Sequence, residues 1–153
     1  MKWLELKIPP PLVAFIFAAL IYGISRAIPG LEFGLPGQPW ISIVIAILGG
    51  VTAAAGVITF RISRTTVNPK APERASAVVN HGIYRISRNP MYLGLLLILT
   101  AWALFLANVA SIVLLAGFVA YMTRFQIKVE ERVLRSKFGD DFESYMSQVR
   151  RWI

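Results

Sequence analysis

The stretch "WISIVIAILGGVTAAAGVITF", residues 40–60, contains no charged side chain over its whole length. A run of roughly 20 apolar residues is long enough to cross the hydrocarbon core of a bilayer as a helix. The rest of the chain has the same character, because 56% of its 153 residues are hydrophobic and only 16% are charged. Soluble domains carry about 25% charged residues. The sequence therefore predicts an integral membrane protein.

Three further apolar segments accompany this stretch, at residues 11–25, 91–107 and 109–122. The last two are joined near Asn108 with almost no linker, which predicts a tight antiparallel hairpin. The first segment resembles a signal peptide, but Arg26 and Pro29 stand where a small-residue cleavage site is expected. We therefore predict an all-α, polytopic membrane protein with four transmembrane helices and one domain, residues 1–153.

The region after the fourth span also has a helical pattern. "RFQIKVEERVLRSKF", residues 124–138, is rich in strong helix formers and predicts that the fourth helix continues into water. Gly139 is expected to end it, and Asp140 or Asp141 to cap the next helix. Residues 140–153 then place apolar side chains at helical spacing, which predicts a C-terminal amphipathic helix on the membrane surface or over the mouth of the bundle. These side chains are Phe142, Tyr145, Met146, Val149 and Ile153.

The formal net charge of +8 is concentrated between the second and third spans. Six basic residues face one acidic residue, Glu73, in that loop, whereas the first loop has Glu32 and no base. The positive-inside rule places this loop, both termini and the predicted site in the cytoplasm. Because the basic residues adjoin long apolar runs, we expect anionic lipid or an anionic ligand as partner, and no nucleic acid. The basic residues are Arg61, Arg64, Lys70, Arg74, Arg85 and Arg88.

Two other features of composition narrow the chemistry and the packing. The chain has no cysteine, and His81 is its single histidine, so we expect no disulfide and no zinc centre or other metal. The second span carries small residues one helical turn apart, which favour close approach of another helix. These are Gly49, Gly50, Ala53, Ala54 and Gly56.

The stretch "HGIYRISRNPMYLG", residues 81–94, leads into the third span, and Asn89-Pro90 is a helix-start signal. The hairpin brings this stretch beside residues 124–131, which end in Glu130-Glu131. A cluster of Arg, His, Tyr and Glu at one membrane face suits a charged, nucleoside-sized ligand. An alternative is structural: the arginines anchor to headgroups, the tyrosines form an interfacial belt, and Glu131 pairs with Arg135.

These two blocks resemble the isoprenylcysteine carboxyl methyltransferase and phospholipid methyltransferase superfamily of integral membrane enzymes. The family pattern is approximately G-x-Y-x-x-x-R-x-P-x-Y-x-G followed by E-E-x-x-L-x-x-x-F-G-x-x-[FY]-x-x-Y, and the resemblance covers about residues 60–153. Asn89 stands where the family often has histidine. The first block is matched by Gly82, Tyr84, Arg88, Pro90, Tyr92 and Gly94, and the second by Glu130, Glu131, Leu134, Phe138, Gly139, Phe142 and Tyr145.

The resemblance implies that the half at about residues 60–153 binds S-adenosylmethionine in a cytoplasm-facing pocket and methylates a lipophilic acceptor drawn from the bilayer. Arg88 would hold the cofactor's carboxylate, and Glu130 or Glu131 its ammonium or ribose hydroxyls. Arg88 and Glu130 are the expected catalytic pair. The expected cofactor-binding set is His81, Gly82, Tyr84, Arg88, Pro90, Tyr92, Gly94, Glu130 and Glu131.

The acceptor decides whether a base is needed, and two rival functions stay open. A carboxylate acceptor needs no base, whereas an amine would require Glu130 or His81 to remove a proton. Membrane steroid-reductase-like proteins, which use NADPH, share part of the pattern, but Met91 and Leu95 stand where they have Asn and Glu. The non-enzymatic rival is a helical bundle whose basic loop binds anionic lipid.

Overall fold

The computed structural model describes residues 5–63 and 77–153, and within these ranges the chain is helical. The predicted loop residues Arg64, Lys70, Glu73 and Arg74 lie outside the described residues. Across residues 5–63 and 77–153, six α-helices follow one another, with short 3₁₀ turns at Pro29–Leu31 and Gly82–Arg85. The helices are α1 Pro10–Ala27, α2 Gln38–Ile62, α3 Pro90–Leu106, α4 Ser111–Met122, α5 Lys128–Phe138 and α6 Asp140–Gln148.

Among the described residues, three helical rods are long and apolar enough to cross a membrane. They are α1, α2 and the continuous rod Ser111–Phe138, in which a π-helical turn at Thr123–Ile127 joins α4 to α5. The remaining apolar helix, α3, has 17 residues, a rise of about 25 Å. Seventeen residues is the lower end of the range of about 17–25 residues that spanning helices use, one residue fewer than α1 has. Three of the four predicted spans are thus confirmed as candidates by length, and the crossing of α3 stays a prediction.

The outer faces of α1 and α2 are apolar and exposed. Trp40 is 72% exposed and Phe15 71%, and α2 adds exposed aliphatic residues such as Ile47 and Val51. An exposed apolar surface of this kind on a protein indicates contact with a membrane or with another protein. Because these residues fall within the predicted spans, we assign the surface to lipid.

Close packing of α2 against α3 depends on residues without side-chain bulk. A Cβ added at Gly94 would lie 2.6 Å from the Gly49 carbonyl oxygen and 2.7 Å from the Ala53 Cβ, and one at Gly56 would lie 2.8 Å from the Met91 Cγ. The predicted helix contact is therefore confirmed at these positions. The prediction of helix contact is wrong for Gly50 and Ala54. A Cβ added at Gly50 has nothing within 4 Å, and Ala54 is exposed.

The hairpin between α3 and α4 turns at Asn108, as predicted. Ala107 takes a left-handed conformation with φ of 51°, and Asn108 is only 1% exposed. The Asn108 side-chain amide donates to the Ile28 carbonyl oxygen at 2.8 Å, and the Val109 amide donates to the Leu31 carbonyl oxygen at 3.0 Å. These bonds fasten the hairpin turn to the end of α1.

The region after α5 differs from the prediction in two respects. Gly139 ends α5 with φ of 52°, as expected, but it also precedes α6, so the prediction of an Asp140 or Asp141 cap is wrong. Helix α6 then ends at Gln148 instead of continuing to residue 153, and Val149 is extended, with φ of −123° and ψ of 131°.

The apolar face of α6 is buried within the protein. Phe142 and Tyr145, 4% and 7% exposed, belong to a cluster with Val79, Tyr84 and Val149. This cluster lies apart from the main core between α1, α3 and α4. The arrangement holds α6 against the segment that leads into α3, while the predicted position of α6 relative to the membrane stays a prediction.

Candidate functional site

The two predicted motif blocks meet between the start of α3 and α5. Tyr92, the third residue of α3, is 5% exposed, and its hydroxyl donates a hydrogen bond to Oε1 of Glu130. Glu130 belongs to the first turn of α5. The hairpin therefore brings residues separated by 38 positions into contact, which confirms the predicted proximity of the blocks.

A second contact between the blocks is ionic. Nη2 of Arg88 lies 3.2 Å from Oε1 of Glu131, and the two side chains are only 11% and 14% exposed. Burial lowers the pKa of Arg88, and the Glu131 carboxylate opposes that shift by stabilising the guanidinium charge. The suggested pairing of Glu131 with Arg135 is wrong, because Nε of Arg135 instead lies 2.8 Å from Oε1 of Glu143.

Arg151 completes an Arg–Glu–Arg arrangement that the sequence analysis did not foresee. Its Nε donates to Oε1 of Glu131 at 3.0 Å, and its Nη2 to Oε2 at 2.7 Å. This bidentate hydrogen bond raises the pKa of Arg151, against the opposing effect of burial. Both carboxylate oxygens of Glu131 are thus occupied by protein donors.

Several buried donors beside these pairs have no hydrogen-bond partner in the described part of the chain. They are Nε and Nη1 of Arg88 and the hydroxyl of Tyr84. Burial raises the pKa of Tyr84, so this hydroxyl is a neutral donor at physiological pH. A buried donor without an acceptor is costly, and the cost is larger when the donor is charged. The site therefore suits a ligand with oxygen acceptors, as a carboxylate provides.

Tyr84 is held by α6 and by α2. The hydroxyl of Tyr145 donates to the Tyr84 carbonyl oxygen at 2.8 Å, and the Phe60 ring lies 5.0 Å from the Tyr84 ring in an edge-on arrangement. Burial raises the pKa of Tyr145, and Arg88 opposes that shift. The Tyr145 hydroxyl therefore stays protonated and keeps this donor bond at physiological pH.

The structure does not gather all the predicted cofactor residues at one point. His81 is exposed, with Nε2 3.4 Å from Oγ of Ser63. Gly82 has φ of 59°, a conformation that favours glycine, and a Cβ added there would lie 3.1 Å from Oγ1 of Thr59. These contacts give both residues a local role at the end of α2.

Pro90 and Gly94 contact α2. Pro90 is almost fully buried at the first position of α3, where its Cγ lies 3.3 Å from a Cβ added at Gly56. Gly94 is the close-contact glycine described above. The residues brought together around the unpartnered donors are thus Tyr84, Arg88, Tyr92, Glu130 and Glu131, and any cofactor contact from Pro90 or Gly94 stays a prediction.

Comparison with known proteins decides the family. Residues 38–141 match the phospholipid methyltransferase family, a span that contains most of the site. The chain belongs to this family. With its long exposed apolar helices, this member of the phospholipid methyltransferase family is an integral membrane protein. No solved structure matches it.

The similar proteins include one from a bacterium and others from plants. An uncharacterized Haemophilus influenzae protein is 48% identical over 63 residues, 41% of this chain and all of that protein. A probable protein-S-isoprenylcysteine O-methyltransferase of Oryza sativa subsp. indica is 32% identical over 72% of this chain and 58% of its own length. Protein-S-isoprenylcysteine O-methyltransferase A of Arabidopsis thaliana is 30% identical over 76% of this chain and 60% of its own. The match thus spans less than two thirds of these two plant proteins.

Proposed function

We propose that this protein is an S-adenosylmethionine-dependent methyltransferase acting on a lipophilic acceptor held in the membrane. The observation that carries the proposal is the Arg88 side chain, 11% exposed, whose Nε and Nη1 are without partners among the described residues. Its ion-pair partner Glu131 directly follows Glu130, which accepts the hydrogen bond from Tyr92. The cofactor has a carboxylate that accepts from a guanidinium, and an ammonium and ribose hydroxyls that donate to a carboxylate. Family membership and the names of the plant relatives support the same reading.

The two neighbouring glutamates have different surroundings, which favours one of them as a ligand. Glu131 has both oxygens in contact with arginine, whereas the hydrogen bond found for Glu130 comes from the neutral hydroxyl of Tyr92. A carboxylate already neutralised by two guanidinium groups gains little from a further cation. We therefore assign the ammonium or ribose hydroxyls to Glu130, and we assign to Glu131 the orientation of Arg88.

The bound cofactor would supply an electrophilic methyl group on a sulfonium, and the protein would align the acceptor with it and exclude water. The burial of Tyr84 and Tyr92 supports such exclusion. If the acceptor is an amine, Glu130 is the better placed of the two base candidates, because His81 is exposed beside Ser63. A carboxylate acceptor needs no base, and it would be methylated on oxygen, which is what the name O-methyltransferase says of the plant relatives.

Ligand binding distinguishes this proposal from its rivals. We expect saturable binding of S-adenosylmethionine and of its demethylated product to the protein in nanodiscs, measured by calorimetry, and no binding of NADPH. Leu95, in place of the reductase glutamate, motivates the second expectation. Saturable NADPH binding without binding of the methyl donor would support a reductase. Binding of neither, with binding to anionic vesicles, would support the lipid-binding bundle.

The proposed cofactor site faces the cytoplasm, which cysteine labelling tests directly because the chain has no cysteine of its own. We introduce Asn80→Cys on the site face and Gly34→Cys in the first loop, two exposed positions. An added Cβ at Gly34 has nothing within 4 Å. In intact cells an impermeant maleimide should label Gly34→Cys alone, and lysis should expose Asn80→Cys. Labelling of Asn80→Cys from outside would reverse the proposed orientation.

A further inference from the structure

The segment Val149–Trp152 follows the end of α6 without helical structure, begins with the extended residue Val149, and is bonded to both motif blocks. The Arg88 amide donates to the Arg150 carbonyl oxygen at 3.1 Å, and the Asn89 side-chain amide donates to the Arg151 carbonyl oxygen at 2.8 Å. Nε1 of Trp152 donates to Oγ1 of Thr123 at 3.2 Å. This segment therefore connects the start of α3 to the helix that carries Glu130 and Glu131.

The side chains of the two arginines in this segment differ sharply. Arg151 makes the bidentate contact with Glu131, whereas Arg150 is exposed and joins the site through its backbone carbonyl. The Arg88 contact with Glu131, at 3.2 Å, is longer than the shorter of the two Arg151 contacts, at 2.7 Å. Glu131 is thus oriented chiefly by Arg151.

We propose that Arg151 is a positioning residue for the cofactor: it holds the carboxylate of Glu131 so that Arg88 keeps free N–H donors for the ligand. This inference rests on the proposed function. It assigns Arg151 no contact with the cofactor, and it makes cofactor affinity depend on a residue outside both motif blocks.

The physical reason is competition for one guanidinium. A carboxylate with two free oxygens forms a bidentate pair with a neighbouring arginine. If Arg151 were absent, Glu131 would turn both oxygens to Arg88, since Nη2 of Arg88 already lies within 3.2 Å. Arg88 would then have fewer N–H donors for a ligand carboxylate, and Glu131 would neutralise more of the positive charge of its guanidinium.

The test measures affinity for S-adenosylmethionine by calorimetry in nanodiscs for four proteins. Arg151→Gln should lower affinity at least about tenfold, the effect of losing a hydrogen bond to a charged group. Arg150→Gln is the matched control, since it removes the same charge one residue away and keeps the backbone bond to Arg88; its affinity should stay within about twofold of wild type. The double variant Arg151→Gln/Glu131→Gln should regain at least about threefold over Arg151→Gln, because a neutral amide does not capture Arg88 as an ion pair.

Each outcome decides a different point. Equal affinity of the Arg151→Gln and Arg150→Gln proteins overturns the positioning role. A double variant that binds no better than Arg151→Gln also overturns it, because it would show that Arg151 has only a structural role. Should Arg151→Gln not fold, Arg151→Lys replaces it; it keeps the charge, loses the second N–H contact, and should show a smaller loss that Glu131→Gln again partly reverses. A wild-type protein that does not bind the methyl donor overturns the proposed function, and this inference with it.

Discussion

Arg88→Lys is expected to weaken binding of S-adenosylmethionine by about 1.5–3 kcal/mol, the usual contribution of a hydrogen bond to a charged group. Lysine keeps the positive charge but has no planar array of donors. Arg88 is 11% exposed and surrounded by Glu131 and the start of α3, so the ammonium of a lysine would satisfy Glu131 and leave the ligand carboxylate with fewer donors. Calorimetric titration of the methyl donor measures the change.

Arg85→Lys is the control, because Arg85 lies three positions earlier and is exposed. If Arg88 only anchors the protein to headgroups, both variants should be nearly silent, since lysine extends to the interface as well as arginine does. A second arm uses Glu130→Gln, which keeps an oxygen acceptor for Tyr92 while removing the charge, and it should also weaken binding. Unchanged affinity in both Arg88→Lys and Glu130→Gln would remove these residues from the site.

The parts of the fold that the sequence predicted depend on local chemistry. Proline at position 90 fixes the start of α3, Gly139 ends α5, and the scarcity of linker residues around Asn108 forces the hairpin. The hairpin in turn makes contact between Tyr92 and Glu130 a consequence of chain geometry. The resemblance to a family then indicated which side chains at this place to consider, although their roles stay predictions.

The parts that sequence reasoning missed are set by tertiary contacts. The apolar spacing of residues 140–153 predicts one helix over that whole range, which includes Arg151. In the structure α6 ends at Gln148, and hydrogen bonds from Arg88 and Asn89 hold the carbonyl oxygens of residues 150 and 151 in a non-helical segment. No local signal in "VRRWI" distinguishes Arg150 from Arg151, and only the position of Glu131 does so.

The hydrophobic periodicity of the sequence also did not predict the π-helical turn at Thr123–Ile127. The Leu6 amide donates to the Phe125 carbonyl oxygen at 3.2 Å, and the Gln126 side-chain amide donates to the Ile8 carbonyl oxygen at 2.8 Å. Such turns insert a residue into a helix and often occur at functional sites. Here the turn lies between the apolar helix α4 and Glu130, so it sets the direction in which the two glutamates face.

Gly94→Ala is expected to destabilise the folded protein by about 1–3 kcal/mol, the usual cost of overpacking a tight contact. The added methyl group would lie 2.6 Å from the Gly49 carbonyl oxygen and 2.7 Å from the Ala53 amide nitrogen. Both are backbone atoms of α2, so relief requires the two helices to separate rather than a side chain to move. Because α3 also carries Tyr92, separation would disturb the site as well.

Gly50→Ala provides the matched control on the neighbouring helix. An alanine Cβ there meets nothing within 4 Å, and replacing glycine with alanine inside a helix stabilises it by about 0.5–1 kcal/mol. The midpoint of thermal unfolding in detergent should therefore fall for Gly94→Ala and stay level or rise for Gly50→Ala. Equal midpoints would show that α2 and α3 pack less closely than the structure has them, and Gly94 would then be free for the cofactor contact that the family resemblance implies.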